Sequence, residues 1–136
     1  MERYSDWEDR LRAYLVANRN CPFRWGSFDC CLFACNVVRE ITGTDMATPW
    51  RGSYRTKTGA WRITGGSLEA FVEKTAKKFD LKEIKPKDSI FGDVIFTKLG
   101  GGSLGVIGFE GLPAFANLRG IGLQPRSSIY RAWKVG

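Results

Sequence analysis

The sequence predicts one α+β domain over residues 1–136, with N-terminal helices packed on a C-terminal antiparallel sheet. Two observations carry this. Up to about residue 79 the apolar residues recur with a helical period. Beyond Pro86 they come in short β-branched or aromatic runs separated by glycines, the pattern of small strands. Helices first and strands second is the order of an α+β chain. A chain of 136 residues, 43% of them apolar, is long enough for one core.

The elements follow in order. Ser5 with Glu8 reads as a capping box that opens a helix over roughly 6–17, with Trp7, Leu11, Tyr14 and Leu15 on one face. Pro22 and Gly26 then interrupt the pattern. Asp29 is a suitable N-cap for a second helix, which Gly43 stops after Thr42. Along it Cys30, Phe33, Ala34, Val37, Val38 and Ile41 form a continuous stripe that predicts burial against the sheet. Residues 44–55 read as a loop. A short helix over about 57–63 and another from Ser67 to near Phe79 follow, the latter turning Leu68, Phe71, Val72 and Ala76 inward. The runs "DVIFTKL", "SLGVIGF", "PAFANL", "GIGLQP" and "SIYRAWKV" then predict four to six antiparallel strands in a curled sheet or half-barrel. No repeat, low-complexity segment or long linker divides the chain.

Composition narrows the function classes. No apolar run approaches the ~20 residues of a membrane span. The polar, amphipathic start "MERYSDWEDRLRAYL" is not a secretory signal, so synthesis in a reducing cytoplasm is expected. There the four cysteines read as thiols. Their spacing, C-x8-C-C-x3-C, is not that of a zinc site, and neither a metal nor a cofactor is expected. The net charge of +7 comes from dispersed basic residues, with loose clusters at Arg51–Arg62 and Lys74–Lys87. A solvated basic surface explains that balance without a nucleic-acid ligand.

The stretch with most chemical content is "FRWGSFDCCLFACNVV", residues 23–38. Cys30 would be the first residue of its helix, where unsatisfied amides and the helix dipole favour a thiolate, while the neighbouring Asp29 opposes one. A cysteine on a core stripe is equally a small apolar residue. The chain has no histidine, and an activated cysteine needs an adjacent base. Cys21, Cys31 and Cys35 read as packing residues. The glycine run at 99–105 lacks the strand-loop-helix context of a phosphate cradle and reads as a hairpin. The segment "WRGSYRTKTGAWR" interleaves aromatic rings with Arg51, Arg55 and Arg62, but falls in a loop and short helix rather than on a base-stacking sheet.

Taken together, "WGSFDCCLFACNVV", "GDVIF" and "SLGVIGFEG" resemble the NlpC-type, papain-like cell-wall peptidases. In those enzymes a "DC" pair opens the nucleophile helix, a "GDV" strand follows, and the next strand begins with the histidine base. The resemblance puts Cys30 at the nucleophile position, Ser103 at the position of the histidine, and Phe115 at the apparent third position. The chain resembles more closely a family of small tailed-phage and prophage proteins of unassigned function. It shares with them Trp25-Gly26 with Asp29-Cys30, Arg51-Gly52, Tyr54-Arg55-Thr56, Gly59-Ala60, Gly92-Asp93-Val94, Leu104-Gly105-Val106 and Ala132-Trp133.

What these resemblances imply is a papain-like NlpC-type fold that has lost two of its three catalytic groups. The expected role is a structural or assembly component of a phage tail, made in the host cytoplasm and carried in the virion. Its expected partners are other tail or tail-tip proteins, with peptidoglycan as a further ligand and nucleic acid disfavoured. Two alternatives stand beside it. One is an active peptidoglycan peptidase or amidase using Cys30, with Asp29 or a neighbouring chain as base. The other is a basic nucleic-acid-binding factor, marked by salt-dependent binding.

Overall fold

The computed structural model describes all 136 residues. It comprises four α-helices followed by a six-stranded antiparallel sheet, with the β-strand order β1-β6-β2-β3-β4-β5, so the α+β expectation holds. The helices are α1 (Trp7–Asn18), α2 (Cys30–Thr42), α3 (Lys57–Thr64) and α4 (Leu68–Lys78). The strands are β1 (Lys82–Ile84), β2 (Val94–Thr97), β3 (Ser103–Ile107), β4 (Pro113–Asn117), β5 (Gly120–Leu123) and β6 (Arg131–Lys134). No helix is long and apolar enough to cross a membrane.

Helix α2 is the axis of the core. The Asp29 carboxylate accepts from the Leu32 amide at 3.0 Å, satisfying one of the free amides of the first turn. Gly43 closes the helix in the left-handed conformation at φ 80°. Between α1 on one side and the sheet on the other, α2 buries more than the expected stripe: Cys31, Leu32 and Cys35 are enclosed along with Phe33, Val37, Val38 and Ile41. Leu11 and Leu15 of α1 are buried, while Trp7 and Tyr14 are half-buried.

The start of α1 differs from the capping box that Ser5 and Glu8 predict. Asp6 is the cap residue, and its side chain makes no capping bond. Its carboxylate instead takes the Arg10 guanidinium at 2.8 Å, one turn along the helix.

The sheet has two apolar faces, as strand alternation requires. Val94, Phe96, Leu104, Val106, Ala114, Ala116 and Trp133 join the helices in the main core. Ile95, Ile107, Phe115, Ile129 and Ala132 form a second cluster on the other side. Register is fixed by the β2–β3 hairpin, in which Val94 faces Val106 and Thr97 faces Ser103. The glycine run between them forms the hairpin loop. β1 precedes Pro86, where no strand is expected, and pairs only with β6. The edges β1 and β5 are not joined, so the sheet is open.

Asp93, of the "GDV" segment, is 1% exposed and organises one end of the sheet. It accepts from the amides of Ile90 at 2.9 Å and Val135 at 3.0 Å. Arg3 completes the cluster, donating to Asp93 at 2.9 Å and to the carbonyls of Phe91 and Val135, both at 2.7 Å. Its guanidinium lies 4.1 Å from the centre of the Trp7 ring. The N-terminal segment is thereby fastened to the end of β6.

Candidate active site

Cys30 begins α2, where the helix end rises to the start of β3. It is half-buried, more open than its place on the apolar stripe predicts, because it lines a cleft. Three groups influence its sulfur: the Cys31 thiol, the Leu104 backbone amide and the Ser103 hydroxyl. Hydrogen bonding from Cys31 is the largest influence, and with the other two it holds Cys30 below the ordinary thiol range against burial and the Asp29 charge. The same bond, with burial, pushes Cys31 well above that range. Burial drives Cys35 up to about 12. All four cysteines are free thiols.

Ser103 opens β3, and its hydroxyl is the smallest of the influences on Cys30; that hydroxyl donates to the Leu104 carbonyl at 3.4 Å. Phe115 is not part of that group. It lies in the second cluster, on the face of the sheet turned away from α2, and its ring packs where a Cβ on Gly105 would sit. Strand alternation accounts for this, since Ala114 and Ala116 take the inward positions on β4.

Both carboxylate oxygens of Asp29 are already engaged. One oxygen accepts from the Leu32 amide, and the other from the Gly26 amide at 3.0 Å and the Tyr54 hydroxyl at 2.5 Å. It is 2% exposed. Burial, followed by the bond to Asp29, pushes the Tyr54 phenol far above its ordinary value, so it is a fixed donor. The "RG-x-YRT-x-x-GA" segment is the scaffold for this contact. Arg51 grips Asp45 with two bonds of 2.9 Å, and Thr56 caps α3 by accepting from Gly59 at 3.0 Å. A Cβ on Gly59 would stand 2.8 Å from that of Tyr54, so only glycine lets α3 approach so closely.

Above Cys30 lies an open cleft of about 490 Å³, walled by Trp25, Trp50, Tyr54, Trp61 and Phe71 and closed at one end by Gly100–Gly102. Sequence reasoning did not find this cleft. Its walls come from four separate segments, and only the aromatic content of "WRGSYRTKTGAW" signals it.

The fold and the site define an α+β protein with a helix-terminal thiol on the floor of an aromatic cleft and no imidazole beside it. A family model described as a domain of unknown function (DUF6950) matches residues 2–135, and the chain belongs to that family. No curated protein matches it.

Proposed function

We propose that the chain is a structural or assembly component of a phage tail, built on a papain-like, NlpC-type scaffold whose catalytic centre is incomplete. The observation that carries the loss of catalysis is that the chain has no histidine and that Ser103 opens β3 where the resemblance puts that base. A cysteine peptidase needs a group that takes the thiol proton and later returns one to the leaving amine. A serine hydroxyl takes up no proton near neutral pH. Asp29 is committed to three donors, and Phe115 faces the other side of the sheet. Removing single members of such a triad lowers rates by about 10⁴–10⁶. What remains is a rigid scaffold with an aromatic cleft, which suits a protein whose work is contact. The tail setting rests on the motif resemblance, which covers most of the chain from residue 20.

The lowered Cys30 thiol at the base of an open cleft favours a second reading, an active peptidoglycan peptidase or amidase. One experiment separates the two. The purified protein and a Cys30→Ala variant are incubated with peptidoglycan fragments, and purified tail particles are analysed by mass spectrometry. Silence from both proteins, with the chain present in the particles, is expected. Turnover that Cys30→Ala abolishes would overturn the structural reading.

A further inference from the structure

Each polar or charged side chain of the segment Arg51–Thr56 has a bonding partner within the chain except Arg55. Arg51 holds Asp45, Ser53 donates to the Trp50 carbonyl at 2.6 Å, Tyr54 reaches Asp29 and Thr56 caps α3. Arg55 is exposed and forms no ion pair, and the same is true of Arg24. These two arginines line one notch of about 460 Å³ with Trp25, Gly26, Ser27 and Tyr54. No acidic residue lines it.

The backbone beneath both arginines is hydrogen-bonded and closely packed. The Arg24 amide donates to the Phe28 carbonyl at 3.1 Å, and the Phe28 amide returns a bond to Arg24 at 2.9 Å. Gly26, at φ 82°, passes so close to the facing loop that a Cβ would lie 2.0 Å from the Tyr54 carbonyl oxygen. Two cations thus share one notch, and the carboxylate behind it, Asp29, is buried and already bonded to Gly26 and Tyr54, so the guanidinium groups face solvent unpaired, an arrangement that an anion stabilises. Guanidinium groups match carboxylates with paired, charge-assisted bonds. Trp25 and Tyr54 also line the large cleft, so notch and cleft share a wall.

We propose that the notch is a carboxylate site, and that notch and cleft together seat an extended acidic segment of a partner protein. Its carboxylate lies on Arg24 and Arg55, and an adjacent apolar side chain enters the aromatic cleft. A nucleic-acid strand carries a phosphate at every nucleotide and calls for a track of cations. The cleft beyond the notch supplies only Lys57. The inference deepens the assembly reading and rests on it for the partner being a virion protein.

The test uses the capped peptide acetyl-LEELF-amide, its neutral counterpart acetyl-LQQLF-amide, and oligothymidylate. Backbone amide shifts and tryptophan fluorescence of the full chain report binding. The acidic peptide is expected to bind, with shifts confined to residues 24–28, 52–61 and 100–102, and to weaken as salt is added. Arg24→Gln and Arg55→Gln are each expected to weaken it about tenfold or more, with the thermal midpoint unchanged. Equal binding of the neutral peptide, indifference to both variants, no shift at millimolar peptide, or tighter binding of oligothymidylate would overturn the proposal. Particle analysis separates this from the assembly reading. Peptide binding by a protein absent from particles removes the tail role and leaves the carboxylate site standing. A double variant incorporated as fully as the natural chain removes the site as the assembly contact.

Discussion

The Tyr54 hydroxyl donates to the Asp29 carboxylate at 2.5 Å, joining the loop before α3 to the first turn of α2 across 25 residues of chain. The bond satisfies a buried charge and fixes one wall of the cleft together. Tyr54→Phe removes one of three donors to Asp29 and keeps the ring. The expected cost is about 1.5–3 kcal/mol, the usual range for a lost bond to a charged group. Urea unfolding of the variant should show a lower midpoint with an unchanged slope; an unchanged midpoint would mean that water replaces the hydroxyl without penalty.

Stability should fall on the alkaline side. Cys31, Cys35 and Tyr54 all have folded-state pKa values raised above their ordinary ones. A raised group contributes stability that is complete below its unfolded value and is lost as pH climbs toward its folded value, because the unfolded chain then holds fewer protons. Loss should begin near pH 9, the ordinary value of the two thiols, and continue as Cys35 approaches about 12. Thermal midpoints across pH 7–11 test this, and Cys35→Ala should flatten the decline.

The thiols should react unequally. Cys30 is half-open with its pKa lowered, whereas Cys31 and Cys35 are buried with theirs raised. Brief iodoacetamide treatment at pH 7.5 followed by peptide mapping should label Cys30 well before those two. Cys31→Ala removes the largest influence lowering Cys30 and should slow its labelling. A faster reaction in that variant would show that access, not the hydrogen bond, limits the rate.

Ser103→His tests whether the geometry remains when the chemistry has gone. An imidazole at that position is expected to reach the Cys30 sulfur, so alkylation should gain a pH inflection near the ordinary histidine value of about 6.5. Peptidoglycan turnover should stay undetectable, since the helix side of β4 carries only Ala114 and Ala116 and offers no polar group to orient the ring. Hydrolysis by this single variant would show that the third position is dispensable.

Arg3→Ala should destabilise the chain by about 2–4 kcal/mol, because it leaves the buried Asp93 carboxylate without its cation. The Ile90 and Val135 amides still serve Asp93, which limits the loss. Arg3→Lys should recover little, since one ammonium on a flexible stem does not reproduce the planar fork that reaches three acceptors. Chemical denaturation of both variants decides it.

The parts of the fold legible in the sequence are those set by local periodicity and turns. α2 is readable from Asp29, Gly43 and its stripe, and β2 to β6 from runs punctuated by glycine. β1 was not legible because it is a three-residue edge strand whose Lys82 and Glu83 are exposed and leave no apolar alternation. The Ser5 box does not form because the helix begins one residue later, at Trp7, with Asp6 as the cap residue, and a one-residue boundary is a choice that propensity does not rank. The placing of Ser103 opposite Cys30 is an expectation from motif order alone. The outward turn of Phe115 depends on β4 register, and a shift of one residue reverses which face a side chain takes. The Tyr54–Asp29 bond and the Arg24–Arg55 notch join distant segments whose spacing carries no signal.

The Arg3 clasp also decides how the domain bears mechanical load. Residues 3 and 135 are joined by one direct bond, and the same guanidinium is held by Phe91 and by Asp93, so a force pulling the two residues apart is met first at this clasp. Below the force that opens the clasp, tension entering at one end leaves at the other and bypasses α2, β3 and the cleft between them. Above it, the next bond in line is Tyr4 amide to Ile41 carbonyl at 2.8 Å, which ties the N-terminal segment to the far end of α2. The cleft therefore keeps its shape under small loads and begins to feel them only after the N-terminal segment has peeled away.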